Sequence, residues 1–144
     1  MAQPSLNMDG PFPFTEKEIA RAVRLHSPGN FALGYVARGS FHVALVDWSR
    51  DDVADELYRR LGTHDKFQAF KFSYAASVTA AWTKICKTWH EFGKRAQLIS
   101  DKHPEPPPGF VCPICRLSAK VETGRAAKAD AQTLIARRRR AAFG

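Results

Sequence analysis

The chain has 144 residues, 44% of them hydrophobic and 25% charged, which is the composition of an ordinary globular domain long enough to bury a core. That excludes a fibre and a wholly disordered chain, and no uncharged apolar run approaches the roughly 20 residues of a membrane-crossing helix. Lys+Arg 22 against Asp+Glu 14 gives a net charge of +8, and its placement is uneven. Residues 116–144 carry eight basic and two acidic residues, a net +6, and the remaining chain carries only +2. A cationic tail on a near-neutral body predicts a polyanionic partner, with nucleic acid, DNA or RNA, the default. No basic n-region with an apolar h-region opens the chain, and three cysteines are too few for a disulfide scaffold. The expectation is an intracellular protein, cytoplasmic or nucleoid-associated, with no membrane partner.

Residues 1–14 contain Pro4, Gly10, Pro11 and Pro13 and read as an irregular arm. Thr15 and Glu18 form a capping box, so a short helix is expected over roughly 15–25, stopped by Ser27-Pro28-Gly29. NFALGYVA and FHVALVD, separated by Arg38-Gly39-Ser40, predict a β-hairpin. Ser49 precedes RDDVADELYRRL, whose Val53, Leu57 and Leu61 recur at helical intervals, with acids first and arginines last as the helix dipole favours. A third strand is expected at Phe67–Tyr74. Ser77 caps a longer helix through Phe92, with Val78, Trp82, Ile85 and Trp89 as its apolar stripe. Residues 94–109 include HPEPPPG, which must be loop. FVCPICR reads as a tight knuckle, and the alanine-rich remainder as a basic helix. The expected organisation is therefore an arm over 1–14, a body over 15–116 and a basic helical tail over 117–144.

Cys112-Pro113-Ile114-Cys115 places two thiols on one turn, either as half a metal site, as a redox dithiol or as a plain reduced pair. Cys86 and His90 lie four apart on the expected helix and so share a face. Cys86, His90, Cys112 and Cys115 together make a Cys₃His set, the ligand chemistry of a closed structural Zn²⁺ site. His103 is a possible substitute ligand. His26, His42 and His64 read as surface or hydrogen-bonded histidines, and Trp48 either as an exposed anchoring residue or as one packed on the first helix. Arg137, Arg138, Arg139 and Arg140 in succession point all round a helix, which suits diffuse phosphate contact. With Arg125 and Lys128 they are the candidate nucleic-acid-binding residues.

The stretch from GNFALGY at 29–35 through FKFSYA at 70–75, Ala80-Ala81-Trp82, Cys86, His90, Phe92-Gly93, His103-Pro104 and CPIC at 112–115 resembles a bacterial family of GIY-YIG nuclease-like proteins. The resemblance implies an α+β fold, with a small three-stranded antiparallel sheet flanked by helices, a zinc knuckle and here a C-terminal basic helix. It also implies where a nuclease would keep its chemistry, and those positions are degenerate. Phe31 stands for the first tyrosine, and Leu45-Val46-Asp47 for the second strand's tyrosine and glycine. Glu56 stands near the arginine position, and Thr83 where the metal-holding glutamate belongs. No Asp or Glu lies between Tyr74 and His90, whereas Mg²⁺ is held through carboxylates. The expectation is a pseudo-nuclease: a zinc-stabilised module without catalytic residues, binding nucleic acid or a nucleoprotein assembly through its tail. The alternatives are a protein-only adaptor within a larger assembly, and a metal-dependent nuclease rearranged around Tyr35, Arg59 or His64.

Overall fold

The computed structural model describes residues 6–92, 98–99 and 102–118. The expected tail helix, with Arg125, Lys128 and Arg137–Arg140, lies outside the described residues. Two compact units are distinguished, residues 1–104 with Cys112–Cys115, and Glu105–Val111 with residues 116–144. In the second, the described part holds a turn in which Phe110 N–H donates to Pro107 C=O (2.9 Å), and an antiparallel bridge between Val111 and Ser118.

The first unit is α+β, as expected, in the order β1 (Asp9–Pro13), α1 (Glu16–Ala22), β2 (Gly29–Ala37), β3 (Ser40–Ser49), α2 (Val53–Arg60), β4 (Ala69–Tyr74) and α3 (Val78–Phe92). The antiparallel sheet has four strands in the order β1-β4-β2-β3, not the three expected. The added strand is β1, inside the segment read as an irregular arm. Its prolines are tolerated because it is an edge strand, bonded only to β4 and irregular between Asp9 and Phe12. Phe12 fixes it by packing on Phe70 at 5.4 Å.

The caps act locally. Glu18 N–H donates to Thr15 Oγ1 (3.1 Å), and Ala80 N–H donates to Ser77 Oγ (3.0 Å). For α2 the cap is Asp52, whose carboxylate accepts from Ala54 N–H (3.0 Å), and Ser49 shapes the preceding turn by accepting from Asp52 N–H (3.0 Å). Gly29 and Gly34 let neighbouring backbones approach. A Cβ at Gly34 would stand 1.9 Å from His42 O, where the β2–β3 register shifts, and one at Gly29 would stand 2.3 Å from Ser73 O.

Alternation along the strands separates two faces. Phe31, Leu33, Leu45, Phe70 and Phe72 join Phe14, Ile19, Val23, Val53 and Leu57 in one apolar cluster under α1 and α2. The opposite face carries α3. Asn30 Nδ2 donates to Ala81 C=O (3.0 Å), and the Trp48 ring lies 5.4 Å from that of Trp82, tilted by 58°, so Trp48 packs on α3 and not on the first helix. No helix among the described residues is long and apolar enough to cross a membrane.

Candidate metal centre

Helix α3 lays Ala81, Trp82, Ile85 and Cys86 into the sheet and carries His90 in its last turn. The C-P-I-C turn supplies Cys112 and Cys115, and the segment before the proline run supplies His103. The ligand atoms of His90, His103, Cys112 and Cys115 all lie within 4.8 Å of one another. Cys112 Sγ stands 3.4 Å from His90 Nε2, and the two imidazole rings are 5.0 Å apart at 63°. Around a tetrahedral zinc, with bonds of about 2.3 Å to sulfur and 2.0 Å to nitrogen, ligand atoms stand roughly 3.3–3.8 Å from each other. The group is therefore at ligand spacing and needs only a small contraction to close on an ion.

The groups behind these ligand atoms orient them. His103 Nδ1–H donates to Pro104 C=O (2.8 Å), which fixes the tautomer and leaves Nε2 as the lone-pair atom. That Nε2 is buried and has no hydrogen-bond partner of good geometry among the described residues. A buried acceptor of this kind is the exception among buried polar atoms, and a bound cation satisfies it. Trp89 packs 5.2 Å from the His90 ring and 5.0 Å from the His103 ring, forming an apolar wall that limits water.

The thiols differ. Burial pushes the Cys112 thiol up, but hydrogen bonds led by the backbone N–H groups of Cys115 and Ile114 outweigh it and bring its pKa down to about 5. Cys112 is thus a thiolate at neutral pH, the form that binds metal. Cys86 moves the opposite way, raised first by burial and then by its hydrogen bond to Cys112 and the charges of Cys112 and Cys115. It remains a thiol at neutral pH. All three cysteines are free, with Cys115 exposed.

Of the expected set, His90, Cys112 and Cys115 come together with His103, and Cys86, whose thiol feels the charges of Cys112 and Cys115, is not one of that group of four. The signal for His103 in the sequence is a histidine immediately before a proline run that leads into the C-P-x-C turn.

The nuclease-like positions are occupied by other interactions. Phe31 is wholly buried, and Leu45 belongs to the same apolar cluster. Glu56 pairs with Arg59 (2.6 Å). Asp47 pairs with Arg60, and burial holds its carboxyl above the usual range against the pull of Trp48 N–H and Arg60. Thr83 faces a solvent-side cavity of α3. Tyr35 stacks on His42 at 5.1 Å, and His64 lies 5.4 Å from Phe67 and accepts from Lys66 N–H (3.1 Å). Tyr35, Arg59 and His64 each have a local partner of their own. Compared with family models, with curated proteins and with solved structures, the chain matches none of them.

Proposed function

We propose that this protein is a non-catalytic module, GIY-YIG-like in design, that is stapled by a structural Zn²⁺ and binds nucleic acid, alone or within a nucleoprotein assembly, through its basic C-terminal segment. The observation that carries this reading is the segregation of charge, with net +6 in residues 116–144 against +2 elsewhere. A field of that kind attracts phosphate regardless of base sequence. The donor set supports the zinc: two thiols and two imidazoles fill all four tetrahedral positions, leaving none for a substrate or water, as in structural and not catalytic zinc sites. The ion would bind His90, His103, Cys112 and Cys115, with Cys86 supporting Cys112. A reducing intracellular setting suits free thiols used in this way.

The test measures binding of a non-specific DNA duplex and an RNA over a salt series, for the full chain and for a full-length variant with Arg137, Arg138, Arg139 and Arg140 each changed to Gln. The slope of log affinity against log salt should flatten by about 0.9 for each duplex phosphate that the variant no longer neutralises. The zinc content, expected near one ion per chain, should not change. Equal affinity and slope in both proteins would refute the tail-mediated reading and favour a protein-only adaptor. Mg²⁺- or Mn²⁺-dependent strand cleavage that survives stringent purification would refute the non-catalytic one.

A further inference from the structure

A cavity of about 610 Å³ opens beside the outward stripe of α3. Thr83, Lys84, Lys87, Thr88 and Glu91 line it at helical spacing, and Asn7 of the N-terminal segment closes one side. Lys84 is anchored there. Its ammonium donates to Asn7 C=O (2.6 Å) and to Ser73 Oγ (2.8 Å). Both acceptors are neutral, and one of the three N–H groups is left over. Burial holds the Lys84 pKa below the ordinary lysine value, and Asp9 offsets this only through space. Neither Lys84 nor Lys87 forms an ion pair among the described residues. An ammonium that is half-buried without a counter-ion gains from any anion able to enter.

We propose that this cavity binds a phosphate group, with the ammonium groups of Lys84 and Lys87 and the hydroxyls of Thr83 and Thr88 as its donors. Glu91, two turns along from Lys84, repels a second anion at that end and accepts from a hydroxyl or amine. The ligand is therefore a phosphate ester that presents a hydroxyl or amine, and not another phosphate, toward Glu91. Two sources share that chemistry, a free nucleoside monophosphate and a backbone phosphate of a nucleic acid. The site lies in the body and uses none of the tail residues, so it stands or falls apart from the tail reading.

The test is an amide NMR titration of the zinc-loaded full chain with inorganic phosphate, adenosine monophosphate and a short thymidine oligonucleotide. It is repeated on Lys87→Gln and on the full-length variant with Gln at 137–140. Lys87 is exposed, so its replacement leaves the core intact. Phosphate should shift the amides of Asn7 and residues 83–88, and Lys87→Gln should weaken that binding about tenfold, as expected when one charge-assisted hydrogen bond is removed. The tail variant should not alter it. Shifts at these amides with the monophosphate alone identify a free ester as the ligand, and shifts with the oligonucleotide as well identify a backbone phosphate. Shifts absent from residues 83–88, or unaffected by Lys87→Gln, would overturn the proposal.

Discussion

The two faces of the sheet are built on different principles. Under α1 and α2 the centre of the layer is an apolar cluster of ten buried residues, four of them phenylalanine, with the buried Ser49 and Asp52 confined to the turn that starts α2. Under α3 the strands contribute Ala32, Ala44 and Val46, and the helix contributes Ala81, Trp82, Ile85 and Cys86, with Asn30 also buried. Small residues let α3 lie close to the sheet but supply less apolar area, and its last turn ends at a cluster of thiols and imidazoles. The first face holds itself together by burial. The second ends at a Cys/His group that could hold an ion.

That contrast can be broken most directly by a deletion on the apolar face. Phe70→Ala should cost about 3–5 kcal/mol, as large-to-small core changes do, with or without metal. Chelation should cost about 4 kcal/mol if free zinc normally stands near a thousandfold above its dissociation constant. Its effect should be local: hydrogen exchange should rise in the last turn of α3 and the C-P-I-C turn, and stay low in β2 and β4. Equal loosening of both faces would mean that they are one cooperative unit and that the contrast is only compositional.

A finer comparison separates ligand from support. His103→Ala removes one of the four clustered donors and should abolish stoichiometric zinc. Cys86→Ser removes the thiol that supports Cys112 and should weaken zinc by roughly 10–100-fold, the usual cost of replacing a residue that orients a ligand. Metal analysis and competition with a chromophoric chelator measure both. If Cys86→Ser proves the more damaging, the fourth ligand is the one that helical spacing nominates, and His103 is the support.

Much of this fold was legible in the sequence because the signals were local. Thr15 and Ser77 cap their helices as their spacing predicts, and alternation in FHVALVD marks β3. What escaped depends on partners distant in the chain. DGPFPF carries proline, which argues against a strand until β4 gives it an edge to join. The α2 cap is Asp52, while Ser49 shapes the turn before it, a division of roles that depends on the backbone path. For the site, the i, i+4 spacing correctly puts Cys86 and His90 on one face of α3. It cannot tell that His103 packs on Trp89 and joins His90, Cys112 and Cys115 in one group.

The smallest expected effect gives the two faces opposite signs of pH dependence. At the apolar layer, His26 Nδ1 contacts Asp52 Oδ2 at 2.6 Å, and Asp52 caps α2. The hydrogen bond from His26 to Asp52 and the carboxylate's charge raise the His26 pKa above its ordinary value. A group whose pKa is raised by folding contributes stability that is full below its unfolded pKa, near 6.5, and is lost as pH climbs through the folded value. The pair is solvent-exposed on the histidine side, so the contribution is small and screened by salt. At the α3 end the dependence runs the other way, since metal binding requires deprotonated thiols and neutral imidazoles and strengthens as pH rises. In thermal melts of the chelated protein the advantage of wild type over His26→Gln should therefore shrink slightly from about pH 6 to about pH 8, the window around that unfolded pKa, whatever trend the lowered Cys112 pKa gives both proteins alike. Melts of the zinc-loaded protein should rise over the same range, with the same slope in wild type and His26→Gln after the apo trend is subtracted. A wild-type advantage over His26→Gln that is absent, or that grows with pH over this range, would show that His26 and Asp52 are not coupled in solution.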